Sequence, residues 1–218
     1  MKSSSFSKDN LKIIIPDITH QQIAQLEKFA TSLREWNQRY NLISRKDVDH
    51  IWENHILPSL IPSTLIEFPE GCWFLDIGSG GGFPAIPLKI ARPDLQILLV
   101  DSVRKKTLFL QKIILDLRLE NTAVKKERIE WLNDPLFMAK FDIITARAVA
   151  NISQLIEWSR LFLKKHGCLL LWKGHSDMGE MEGVAENLKL KYEILSVPDS
   201  LKGLSPKFED LRFFQIWV

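Results

Sequence analysis

The stretch Trp73-Phe74-Leu75-Asp76-Ile77-Gly78-Ser79-Gly80-Gly81-Gly82-Phe83 decides how the rest of the chain is read. An apolar strand pattern runs directly into a glycine cluster, and a helical pattern follows, with Pro84 and Pro87 in or near its first turn. Glycines let a backbone turn tightly and approach a ligand with no Cβ in the way. The next apolar run, Ile97-Leu98-Leu99-Val100, ends in Asp101. That spacing suits an acid that hydrogen-bonds ribose hydroxyls, which lies about 20 residues past the glycines. The pattern predicts a nucleoside-containing cofactor at the carboxyl ends of a parallel sheet.

Glycine spacing alone does not choose the cofactor. Here Asp76 stands two residues before Gly78, and Gly80 and Gly82 follow. This order resembles the first motif of S-adenosylmethionine (SAM) methyltransferases. A dinucleotide needs helix N-terminal N–H groups at its pyrophosphate. SAM has no phosphate, and Pro84 and Pro87 remove donors that a pyrophosphate would use. Asp76, Gly78, Gly80, Gly82 and Asp101 are therefore candidate cofactor-binding residues. A bare strand–turn–helix, with glycines serving only the turn, leaves the flanking acids without a purpose.

A chain of 218 residues suits one medium domain with a large core. Hydrophobic residues at 45% and charged residues at 26% are ordinary for a soluble globular protein. The net charge of +2 does not announce nucleic acid. Its distribution says more, because basic residues from Arg104 to Arg128 outnumber acids. Such a face can bind phosphates, or it can simply be solvated. No apolar run approaches the roughly 18–20 residues of a membrane span. The N-terminus lacks the apolar centre of a signal peptide. Cys72 and Cys168 each open a strand pattern, and the five histidines show no ligand spacing. A cytoplasmic, reduced protein without a metal is expected.

Residues 1–12 are polar and read as frayed. A capping box at Thr19 and Gln22 starts a helix whose Ile23, Leu26, Phe29, Leu33, Trp36 and Tyr40 share one apolar face. Ser44 and Asp47 start a second helix, which Pro58 is expected to end. Strands are then predicted at 72–77, 96–101, 122–126, 141–146 and 168–173. Helices are predicted around 84–91, 104–118, 152–164 and 180–190. Two last strands, near 192–197 and 212–218, should pair antiparallel across a loop. The alternation means a doubly wound, mostly parallel seven-stranded α/β sheet, Rossmann-like, with a final antiparallel strand. This is the fold class of class I SAM-dependent methyltransferases. The expected organisation is an N-terminal helical extension over residues 1–70 and a methyltransferase domain over 71–218.

The fourth strand leads into Arg147-Ala148, where methyltransferases declare their acceptor. Enzymes acting on exocyclic amines carry an Asn/Asp-Pro-Pro-aromatic loop there, and enzymes acting on pyrimidine carbon 5 carry a cysteine. This chain has neither. Arginine stays protonated and cannot be a general base. The acceptor should need no deprotonation, as a ring nitrogen with a free lone pair does not. Arg147 could pair with the SAM carboxylate, or with an acid such as Asp76 or Glu130.

The chain resembles the glucose-inhibited division protein B family, bacterial enzymes that methylate guanine N7 of small-subunit (16S) ribosomal RNA. The resemblance rests on Trp36-Asn37-x-x-Tyr40-Asn41-Leu42, His55-Ile56-Leu57, the run from Asp76 to Leu88, Asp101-Ser102, Lys105-Lys106-x-x-Phe109-Leu110, Arg147-Ala148 and Lys173-Gly174. It implies SAM contacts at Gly78, Phe83, Ile129, Glu130 and Arg147, with Asp101 on the ribose. It implies ribosomal RNA, or the assembling small subunit, as partner. One departure is Pro58, where the family often has Asp.

Lys173 ends the fifth strand on the ligand side, which makes it, with Arg147, a candidate catalytic residue near a phosphate or guanine O6. Asn41, His55, Arg104, Lys105, Lys125 and Lys126 are candidate RNA contacts, His55 on the resemblance only. Trp36 and Tyr40 read as core. The alternatives are a same-fold methyltransferase acting on a small molecule or protein, an NAD-dependent oxidoreductase, and an RNA-binding module with an idle nucleoside pocket.

Overall fold

The computed structural model describes residues 8–218. Its strands are β1 (Trp73–Ile77), β2 (Gln96–Asp101), β3 (Thr122–Lys126), β4 (Phe141–Ala146), β5 (Leu163–Gly174), β6 (Lys191–Ser196) and β7 (Leu211–Trp217). They form one sheet in the order β3-β2-β1-β4-β5-β7-β6. The first five run parallel, and β7 is antiparallel to both of its neighbours. Strand order reverses between β1 and β4, so the connections leave a crevice beyond their carboxyl ends.

Alternation along the strands divides the core in two. Phe74, Ile97, Leu99, Ile143, Leu170 and Phe213 face one side. There they meet α1 (Lys8–Ile14), α2 (His20–Asn37), α4 (Ala85–Ala91) and α5 (Arg104–Leu117). Leu75, Ile77, Leu98, Val100, Ile144, Leu171 and Phe214 face the other, under α6 (Ile152–Ser159) and α7 (Met178–Leu188). Thr19 and Gln22 form the expected capping box of α2, and Gln22 Nε2 also donates to the carbonyls of Ile90 and Ala91 at 2.9 and 3.0 Å. That second role ties the helical N-terminal segment to the end of α4. Phe29, fully buried, lies against both Phe83 and Phe109. Trp36 packs on Phe109 and Tyr40, and both Trp36 and Tyr40 are half-buried against the edge of the core expected to hold them.

Four expectations need correction. Residues 8–14 are helical rather than frayed, because Leu11 and Ile14 are buried in the shared core; residues 1–7 lie outside the described residues. Pro58 does not end its helix. A 3-10 segment (Arg45–His50) leads into a π-helical turn (Trp52–Ile56), then α3 (Leu57–Leu60) and a further 3-10 turn (Ile61–Thr64). Widening by the π turn accommodates a proline whose ring would otherwise strike a carbonyl one turn earlier. Helix α6 stops at Ser159 and β5 begins at Leu163, because Lys164-Lys165-His166 forms a bulge rather than a helix end. His166 takes a positive φ there and Lys164 reaches Asp142 at 2.8 Å. The segment between β6 and β7 contains α8 (Asp199–Lys202) and a 3-10 turn (Pro206–Glu209), not loop alone.

Candidate active site

A cleft of about 390 Å³ opens at the reversal of strand order. Its wall includes Ile77, Gly78, Asp101, Lys106, Ile129 and Glu130, with Ala148 and Val149 opposite. The loop after β1 is shaped by glycine where nothing else fits. Gly78 has φ +67°, and a Cβ there would stand 2.6 Å from Val149 Cγ2. Gly82 has φ +92°, and its Cβ would meet Ile86 Cγ1 at 2.7 Å. Gly80 donates its N–H to Asp101 Oδ2 at 2.9 Å, while Asp101 Oδ1 accepts from Val103 at 2.8 Å. Asp101 thus welds the glycine loop to the end of β2, with Lys106 Nζ 3.9 Å away.

Asp76 is 1% exposed. In register across the sheet lies Thr145, whose hydroxyl donates to Asp76 Oδ1 at 2.7 Å. Asp76 Oδ2 is buried with no partner. Burial, opposed by the Thr145 hydrogen bond, pushes its carboxyl up to about 7. Arg147 is the complement. Its Nη2 donates to the Asn54 carbonyl at 2.7 Å, and its Nη1 is buried with no partner. Burial pushes the guanidinium down to about 10, against the opposing charges of Asp47 and Asp76. Arg147 forms no ion pair with Asp76 or Glu130; Glu130 pairs with Arg128 at 3.0 Å. Asp76 and Arg147 each directly precede a residue of the cleft wall, Ile77 and Ala148. One unsatisfied acceptor, on β1, and one unsatisfied donor, just beyond the end of β4, thus each stand one residue along the chain from the wall, although neither side chain lines it. A zwitterion, with one ammonium and one carboxylate, matches that pair.

The other expected residues divide. Gly78, Asp101, Ile129 and Glu130 come together on the cleft wall. Phe83 does not line it: its ring is 7% exposed, with His55 stacked on it at 4.8 Å and Phe29 at 5.3 Å. His55 Nε2 stands 3.3 Å from Asp47 Oδ2 without a hydrogen bond, and burial, aided by the charge of Arg147, pushes it down to about 4. Lys173 is also off the wall, held between Asp177 and Glu180 at 3.3 and 3.6 Å. Lys125 and Lys126 pair in register with Val100 and Asp101 at the end of β2, beside the cleft. Lys125 is bound to Asp134 at 3.2 Å and Lys105 lies over Tyr40, whereas Lys126 and Arg104 have no ion-pair partner among the described residues. Asn41 is exposed in the bend after α2. Lys106, marked by sequence only within a motif, stands on the cleft wall, and sequence reading missed Thr145, Val149 and Asn54. Only Thr145 carried a signal, as the lone hydroxyl in the run Ile143-Ile144-Thr145-Ala146.

Residues 22–205 match the family described as rRNA small subunit methyltransferase G. The chain belongs to this family. A relative named Ribosomal RNA small subunit methyltransferase G from Neisseria meningitidis is 36% identical over 84% of this chain and 86% of its own length. One of the same name from Flavobacterium psychrophilum is 39% identical over 69% of each chain. A SAM-dependent methyltransferase structure from Aquifex aeolicus superposes with a TM-score of 0.60 at 14% identity, covering 81% of this chain and all 100% of that one, which establishes the shared fold. Among the described residues, no cluster of His, Cys, Asp and Glu could hold a metal, and no helix is long and apolar enough to cross a membrane.

Proposed function

We infer that this protein transfers the methyl group of SAM to N7 of a guanine in small-subunit (16S) ribosomal RNA. Membership of the rRNA small subunit methyltransferase G family supports the reaction and the substrate class. The observation that carries the reading at the site is the pair of unsatisfied buried atoms, Asp76 Oδ2 and Arg147 Nη1. Asp76 would accept from the methionine ammonium and Arg147 would donate to its carboxylate. Asp101 would take the ribose hydroxyls, Ile129 would wall the adenine, and Glu130 would stand at the rim. Gly78 leaves room for a close approach. Phe83 supports the loop from behind through its stack with His55. When bound, SAM supplies an electrophilic methyl on a sulfonium.

The acceptor follows from what the chain offers at the end of β4. N7 of guanine has an in-plane lone pair and no proton to lose. Arg147, Ala148, Val149 and Ala150 supply no base. The two cysteines supply no nucleophile: burial pushes Cys72 and Cys168 up to about 12 and about 11, and both lie away from the carboxyl ends of the strands. The chain's contribution is to hold N7 in line with the donor and to exclude water, with fixed charges supporting the transfer. Of the candidate cations Arg104, Lys105, Lys125 and Lys126, we propose Lys126 and Arg104 for RNA phosphates, since neither has an ion-pair partner among the described residues. We propose deproteinised RNA or the assembling small subunit as the form acted on.

Incubating the protein with methyl-labelled SAM and small-subunit RNA, naked or in particles, tests this reading. Nucleoside digestion should show label in 7-methylguanosine. Label on an exocyclic amine, a ribose hydroxyl or a ring carbon, or no transfer to either substrate, contradicts it.

A further inference from the structure

We propose that Pro58 is a positioning residue for Arg147: by denying the Asn54 carbonyl its helical donor, it makes that carbonyl the acceptor that fixes the guanidinium. In a helix, the carbonyl of Asn54 would accept the N–H of residue 58. Pro58 has no N–H, and a proline ring strikes the carbonyl four residues earlier. The chain responds by widening into the π turn, where the Leu57 N–H passes to the Trp52 carbonyl. The Asn54 carbonyl, which Pro58 cannot serve as donor, accepts from Arg147 Nη2 at 2.7 Å. Asn54 is also held from its other end, because its Nδ2 donates to Asp47 Oδ1 at 2.6 Å. One nitrogen of Arg147 is thereby fixed while Nη1 keeps no partner.

The same device repeats one turn later. Pro62 stands four residues after Pro58 and offers the Pro58 carbonyl no donor. That carbonyl accepts from Trp172 Nε1 at 2.8 Å. Two prolines thus direct two helix carbonyls at two sheet residues, one beyond the end of β4 and one near the end of β5. Only the first of these residues directly precedes a residue of the cleft wall, so Pro62 is a built-in control. The assignment rests on the reading of Arg147 as the group that faces the methionine carboxylate.

Calorimetric titration of SAM into purified full-length variants, without RNA, tests it. An alanine at 58 supplies the missing N–H, which should close the helix and withdraw the carbonyl. Pro58→Ala should weaken SAM binding about 3- to 10-fold, the loss of roughly one hydrogen bond. Pro62→Ala should leave SAM affinity within about twofold even where it lowers the melting temperature, since Trp172 is off the cleft. In an Arg147→Ala background, Pro58→Ala should have no further effect, as expected of two residues acting through one contact. Asp47→Ala, which loosens Asn54 from its other end, gives a second variant should Pro58→Ala fold poorly, and its loss should likewise vanish in that background. A large effect of Arg147→Ala with none from either partner, or equal losses in both backgrounds, overturns the positioning role alone. Wild-type affinity in Arg147→Ala overturns the reading of Arg147 itself.

Discussion

The loop after β1 and the segment from Arg45 to Thr64 hold site residues, Asp101 and Arg147, by opposite means. In the first, glycines at 78, 80 and 82 take positive φ and let the backbone fold back, so that the Gly80 N–H can bond Asp101. In the second, prolines at 58 and 62 remove donors, so that helix carbonyls reach outward to Arg147 and Trp172. Glycine widens what a backbone can adopt, whereas proline widens what its neighbours can bond to. The first effect is local and shows in spacing. The second becomes visible only once the partner across the fold is known.

The comparison is sharpened most by removing the group that the second region holds. Arg147→Ala should weaken SAM binding by about 1.5–3 kcal/mol, roughly 10- to 150-fold, as for loss of a charged hydrogen bond. Arg147→Lys should recover only part of this, because an ammonium cannot hold the Asn54 carbonyl and a carboxylate with two forked nitrogens. Calorimetry reads both, and full recovery by lysine would break the geometric argument. In the first region, Asp101→Ala should cost SAM affinity by about tenfold and also lower the melting temperature, since two backbone N–H groups lose their acceptor. Lost affinity with unchanged stability would mean that Asp101 does not weld the loop.

Outside both regions the effects should shrink. Lys126→Glu should weaken RNA binding several-fold and reduce the salt slope by about one, leaving SAM binding intact. Lys125→Glu should do less, because Lys125 is already paired with Asp134. Equal effects in a filter-binding salt series would contradict that ranking. The smallest expected effect concerns the chemical step. At saturating SAM and RNA, the single-turnover rate should vary little between about pH 6 and 8, since no residue gives or takes a proton. A log-linear rise with pH would require a base and would contradict N7 as acceptor.

The sheet was legible because its signals are short-range. β3 and β4 begin and end where alternation and punctuation put them, and Asp76, the glycines and Asp101 are marked by spacing. The helix at Lys8–Ile14 was not legible, because Leu11 and Ile14 find their partners far away in the chain. The start of β5 was hidden by Lys164-Lys165-His166, polar residues that read as a helix end but carry a bulge held by Asp142. At the site, the family motif marked Phe83 and Lys173, yet the ring packs behind the loop and the ammonium is held by two carboxylates. Burial and pairing of that kind depend on tertiary neighbours that spacing does not encode.

That Asp76 Oδ2 and Arg147 Nη1 hold the methionine end of SAM is tested most directly through the proton on Asp76. In the free protein its carboxyl is pushed up to about 7, so below that pH it is largely protonated. An ammonium beside Oδ2 favours the carboxylate, so binding must expel the proton. SAM affinity should therefore rise with pH toward about 7 and level off above it. Calorimetry near pH 6, in buffers of differing ionisation enthalpy, should show release of close to one proton in the wild type and none in Asp76→Asn. No proton release in the wild type, with SAM affinity flat between about pH 5 and 7, would contradict the assignment.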